Sequence, residues 1–84
     1  MKNEEVLRLL KTSKGQIEGI VKMIEDEKYC IDVSNQIMAV ISVLKKANLT
    51  LLDNHIHHCV INAKDEEKMK KMDEISDVLK KVLK

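Results

Sequence analysis

Three residues of this 84-residue chain are soft-metal ligand types that line up on a helix: Cys30, His55 and Cys59. Two thiolates and one imidazole form a three-donor set suited to Cu(I), which accepts low coordination. It suits Zn(II) less well, because that ion usually takes four ligands. His55 and Cys59 stand four residues apart, so on a helix they are neighbours on one face. Cys30 cannot join them within one subunit, because a continuous helix over about residues 31–62 would hold it roughly 40 Å from Cys59. At about 100° per residue, however, His55 and Cys59 both fall within roughly 20° of the direction of Cys30. Two such helices packed antiparallel would bring Cys30 of one chain beside His55 and Cys59 of the other, which predicts paired sites between subunits. A fourth donor could come from His57, His58 or water; His58 follows His55 by three positions, whereas His57 points away. Each ligand alone is better explained by packing, since a free cysteine behaves as a small hydrophobe and a lone histidine on such a helix is more often packed than ligating. The shared stripe of all three favours metal.

The elements that must position these residues read as three helices. From about residue 4 to 26, Val6, Leu10, Ile17, Ile20, Val21 and Ile24 recur at helical spacing, with Arg8, Lys11, Glu18 and Lys22 opposite. Gly15 and Gly19 lie inside this helix one turn apart, each costing about 1 kcal/mol relative to alanine, which predicts close approach of another backbone there. The run Glu25-Asp26-Glu27-Lys28 marks a turn, and Asp32 is the expected N-cap of the next helix. That second helix, about 31–62, is apolar on more than one face through Val33, Ile37, Val40, Ile41, Val43, Leu44, Ala47, Leu51, Leu52, Ile56 and Val60. Its length of about 48 Å exceeds what two short neighbours can wrap, so self-association is expected on burial grounds. A third helix is expected over about 66–83, N-capped by Asp65, with Met69, Met72, Ile75, Leu79, Val82 and Leu83 on its apolar side.

Composition agrees with an all-α chain forming a single domain over 1–84: there is no proline and glycine occurs only twice. At this size a lone core is marginal without metal or oligomerisation. The sole aromatic residue, Tyr29, argues against stacking of single-stranded nucleic acid. No stretch approaches the ~20 apolar residues of a membrane span, and the acidic Asn3-Glu4-Glu5 start is unlike a signal peptide, so a cytoplasmic location is expected. In that reducing compartment the two cysteines read as thiols or ligands rather than a disulfide. Catalysis is a poor fit. Cys30 or Cys59 beside His55 could form a thiolate and base pair, yet no glycine-rich loop, oxyanion donors or carboxylate dyad accompanies them, and no small-molecule substrate is expected.

Over nearly its whole length the sequence resembles the copper-sensing repressors of the CsoR/RcnR family. The resemblance rests on Gly15-Gln16-Ile17-Glu18-Gly19-Ile20, on Tyr29-Cys30-Ile31-Asp32-Val33, and on Asn54-His55-Ile56-His57-His58-Cys59. It implies an all-α homotetramer, an antiparallel dimeric four-helix bundle doubled into a dimer of dimers. Such a protein binds double-stranded operator DNA without metal and releases it when Cu(I) binds Cys30 of one protomer with His55 and Cys59 of its partner. Nickel and cobalt sensors of the family carry histidine near the N-terminus and in place of the second cysteine, where this chain has Asn3 and Cys59. Formaldehyde sensors carry an N-terminal proline, where this chain has Lys2. Sulfur-responsive members lack the histidine, so His55 favours copper over persulfide.

The resemblance further implies that Tyr29 and Glu74 hydrogen-bond the ring nitrogen of His55 left free by the metal, tying ligation to helix position. Family members contact DNA with basic residues on the first and second helices, and the matching positions are Leu9, Lys11, Lys14 and Lys46. Leu9 stands where the family has arginine, and Arg8 beside it could substitute. Clustered across a tetramer, Arg8, Lys11, Lys14, Lys45 and Lys46 would make a basic face for phosphates despite a net charge of +1. Two other readings start from the same residues: a thiol sensor joining Cys30 and Cys59 across subunits, and a copper-binding helical protein that does not touch DNA.

Overall fold

A computed structural model describes residues 3–57 and 64–84 of the chain. Three helices follow one another: α1 (Glu4–Glu25), α2 (Cys30–His55) and α3 (Asp65–Val82). No strand occurs among the described residues. At α2's end Ile56 and His57 continue as a wider, π-type turn. The part of the expected second helix beyond His57 falls in 58–63, outside the described residues.

A tight turn reverses the chain between α1 and α2. Glu27 adopts a left-handed backbone with φ of 56°. The Lys28 N–H donates to the Met23 carbonyl at 2.9 Å, and the Glu27 N–H to the Ile24 carbonyl at 3.1 Å. These two bonds satisfy carbonyls that the end of α1 would otherwise leave bare, in the Schellman pattern whose left-handed position usually holds glycine. Neither expected acidic N-cap holds. Tyr29 caps α2 and Lys64 caps α3, with Asp32 and Asp65 inside the first helical turns. There a carboxylate still faces the positive end of the helix dipole.

The packing between α1 and α2 follows alternating steps of three and four. Val6, Leu9 and Ser13 are buried on α1, with Gln16, Ile20 and Met23 partly buried beyond them. On α2 the buried residues Val33, Val40 and Ala47 are seven apart, and the half-buried Asn54 continues the series. Val6, Leu9 and Ala47 form the core, with Val43 packed against it. The buried Ser13 hydroxyl donates to the Leu9 carbonyl at 3.0 Å, so its burial leaves no donor unpaired.

This arrangement corrects the expected apolar face of α1. Leu9, not Leu10, enters the core, while Leu10, Ile17, Val21 and Ile24 remain exposed. The helix carries two apolar stripes, and the polar Ser13 disguises the one that meets α2. At Gly15 and Gly19 a Cβ would meet nothing within 4 Å, so the close approach expected there is not made by a backbone or helix of the same chain.

The radius of gyration is 16.8 Å, against about 12 Å for a compact chain of this length. The molecule measures 55 × 26 × 12 Å along its principal axes. Its thinnest dimension is that of a single helix. Among the described residues α3 touches α2 and not α1; it buries Ile75 and leaves Met69, Met72 and Leu83 exposed.

Candidate metal and DNA-binding surfaces

Cys30 is the first residue of α2 and His55 its last, in a helix of 26 residues. At 1.5 Å per residue they are about 38 Å apart. Cys30 is a free, exposed cysteine, and His55 is half-buried. Cys59 lies outside the described residues, as does His58. Among the described residues no three His, Cys, Asp or Glu side chains cluster as a metal site. His57 lies 3.6 Å from Asp53 in an exposed pairing one turn back along α2.

The side of α2 that carries Cys30 and His55 also carries Ile37, Ile41, Leu44 and Leu51. Stepping by four and three, positions 30, 34, 37, 41, 44, 48, 51 and 55 trace one line along the helix. Its large apolar members are all exposed. Beside this line runs the exposed stripe of α1, and between the two helices Ile17, Ile20, Val21, Ile24, Ile37, Val40 and Ile41 line a groove of about 440 Å³. Both described ligand candidates therefore sit at the two ends of one uncovered apolar face.

Tyr29 is exposed at the start of α2, at the far end of that helix from His55. Glu74 is exposed on α3, next to the buried Ile75. Within one chain α2's length separates Tyr29 from His55, so any tyrosine beside this imidazole must come from another copy.

Most of the basic residues lie away from the apolar face, while Lys14 borders it, about 20° from the direction of Val21. Arg8, Lys11 and Lys14 step round α1 by about 60° each, and all three are exposed. The Arg8 guanidinium approaches Glu5 to 3.7 Å in an exposed pair. Lys45 and Lys46 line a groove with Glu5, Ser42, Leu49 and Asp53, between α1 and α2. Leu9 does not share this surface. It is 6% exposed within the core, so its side chain is no DNA contact, and Arg8 is the outward-facing residue at that point of α1.

Sequence reasoning missed Asn3 and Asn54. The Asn54 side-chain amide donates to Asn3 Oδ1 at 3.0 Å, bridging the start of α1 and the last turn of α2. Two isolated asparagines carry no periodic signal, and only the antiparallel pairing of the helices brings them together.

The fold and these surfaces define a class. The profile of the metal-sensitive transcriptional repressors matches residues 2–81, and the chain belongs to that family of regulators, not to a family of enzymes. Among its relatives, the copper-sensing transcriptional repressor CsoR of Bacillus subtilis is 39% identical over 82 residues, 96% of this chain and 81% of that protein. The copper-sensing transcriptional repressor RicR of Mycobacterium tuberculosis is 54% identical over 54 residues, which span 64% of this chain and 56% of RicR. The crystal structure of the copper-sensing repressor CsoR with Cu(I) from Geobacillus thermodenitrificans superposes with a TM-score of 0.81 at 38% identity, covering 96% of this chain and 85% of that one. No described helix is long and apolar enough to cross a membrane.

Proposed function

We propose that this protein is a cytoplasmic, Cu(I)-responsive repressor, a single domain over 1–84 that binds double-stranded operator DNA and lets it go when Cu(I) binds. One observation carries the reading: Cys30 and His55 end one exposed apolar line on α2. A chain one helix thick must cover that face with a second layer, and a second copy laid antiparallel does so with its own identical stripe. The two-fold contact is self-complementary, and it sets Cys30 of one protomer at the end of α2 that carries His55 in its partner, with Cys59 four residues further on in the sequence. Paired dimers would then make the tetramer.

The donor set suits a soft monovalent ion, and the exposed Cys30 is free to ligate. When bound, Cu(I) supplies a fixed link between the two subunits. The chain's own residues do the rest. His55 orients through its second ring nitrogen, with Tyr29 and Glu74 as the proposed hydrogen-bond partners. Arg8, Lys11, Lys14, Lys45 and Lys46 meet phosphates.

Anaerobic titration of the reduced protein tests this. About one Cu(I) per chain, with two sulfur and one nitrogen neighbours by X-ray absorption, is expected. The loaded protein should release a duplex selected from a random library by the copper-free form. A monomer holding copper at full affinity would overturn the intersubunit site. The exposure of Cys30 also favours a second reading, in which a persulfide donor converts Cys30 to its persulfide and the partner's Cys59 thiolate attacks it, leaving a Cys30–Cys59 disulfide and releasing sulfide. A crosslink on nonreducing gels after persulfide treatment, without copper stoichiometry, would select it.

A further inference from the structure

Asn3 occupies the N-cap of α1, where an asparagine side chain ordinarily accepts a hydrogen bond from the backbone N–H two or three residues on. Here it makes no such bond. Its Oδ1 instead accepts from the Asn54 amide at 3.0 Å. Glu5 and Val6 are the residues whose N–H groups it would cap. The Asn3 oxygen thus has two mutually exclusive uses, one local to α1 and one across to α2, and leaving Asn54 need not leave it unpaired.

The position of Asn54 gives that choice a consequence. Asn54 ends the seven-residue series Val33, Val40, Ala47 that faces α1, and the next residue is the ligand candidate His55. On the helix the two side chains point about 100° apart, one toward α1 and one along the apolar face. A link from His55 to the partner subunit draws the last turn of α2 sideways, away from α1. That turn already departs from α geometry, widening at Ile56 and His57, a feature rare in helices and frequent at functional sites. On the other side, Asn3 opens the helix that carries Arg8 and Lys11 one and two turns later.

We propose that the Asn3–Asn54 amide pair is the element that copper ligation and DNA binding bias in opposite directions. It is closed when α1 is set for DNA and open, with Asn3 capping α1, when His55 is ligated. The inference rests on the repressor reading and names its regulation. A coupling between two sites needs a group with two arrangements that each site favours differently; the structure shows the closed one, and the N-cap position of Asn3 supplies the other.

Asn54→Ala is the first variant, since it removes the pair, leaves Val6, Leu9 and Ala47 intact and frees Asn3 to cap. The duplex selected by the copper-free wild type is bound, and free Cu(I) is raised with a competing chelator. Half-release by Asn54→Ala is expected at about 3- to 10-fold lower free Cu(I) than by wild type, the scale of one net hydrogen bond. Asn3→Asp keeps the acceptor and should keep the wild-type midpoint, whereas Asn54→Leu removes both donor and acceptor at similar size and should follow Asn54→Ala. A merely structural pair would lower thermal stability and leave the copper midpoint in place. Midpoints within twofold of wild type for both Asn54 variants, or a shift to higher copper, would overturn the proposal. A wild-type complex that copper does not release would overturn the repressor reading itself, and the proposal with it.

Discussion

Cys30 and His55 open and close the same helix and share one side of it, about 38 Å apart, with Ile37, Ile41, Leu44 and Leu51 exposed along the line between them. No rotamer change brings them together in one chain. In the proposed dimer a second copy does.

Charge placed in the middle of that line should therefore abolish copper binding without touching a ligand. Ile41→Glu is expected to shift the protein to smaller species on sizing and to lose most of its Cu(I) stoichiometry, because a carboxylate buried without a partner costs several kcal/mol. Full copper binding by a monomeric Ile41→Glu protein would contradict it.

His55→Ala separates affinity from response. Two thiolates remain, so appreciable Cu(I) affinity is expected to persist while copper-driven release of DNA is lost. Undiminished release by this variant would count against a histidine-centred link between ligation and helix position.

The arginine that the family resemblance places at position 9 cannot be put back. Leu9→Arg drives a guanidinium into the contact of Val6 and Ala47, and a destabilisation above about 3 kcal/mol is expected from an unpaired buried charge. Leu9→Ala should cost about 2–5 kcal/mol. Chemical denaturation measures both, and tighter DNA binding by a stable Leu9→Arg protein would show that the residue faces outward.

Glu27 holds a left-handed backbone that glycine adopts freely. Glu27→Gly is expected to stabilise the protein by about 0.5–1 kcal/mol, read as a higher denaturant midpoint at unchanged slope. A lower midpoint would mean that the Glu27 side chain contributes more than its backbone strain removes.

Gly15→Ala should add about 1 kcal/mol of helix stability, since the new Cβ meets nothing within 4 Å in the chain. Loss of stability or assembly in this variant would place another copy's backbone against α1 there.

The three helices were legible because their apolar periodicity is strong, and α1 and α3 end within a residue or so of where the pattern places them. The shared direction of Cys30 and His55 was legible for the same reason, as it needs only a helix of constant pitch. The inner face of α1 was not. Residues 6, 10, 17, 20, 21 and 24 make a cleaner apolar pattern than 6, 9, 13, 16, 20 and 23, which include a serine and a glutamine. The second set meets α2, while most of the first awaits another surface, and periodicity does not say which of two stripes a neighbour takes. The acidic N-caps failed because Asp32 and Asp65 favour the first turn as well as the cap. The Asn3–Asn54 pair was invisible, being a contact between residues 51 apart.

The 12 Å thickness of the molecule has a last consequence. A slab of that depth holds only a small interior of its own around Val6, Leu9 and Ala47, so under the proposed assembly much of its stability follows association by mass action. Its melting temperature should climb with protein concentration, and dilution alone should undo what warming undoes. In a cell the dose of this chain would then set how many working copies exist, and a shortage would silence it before any ligand arrived.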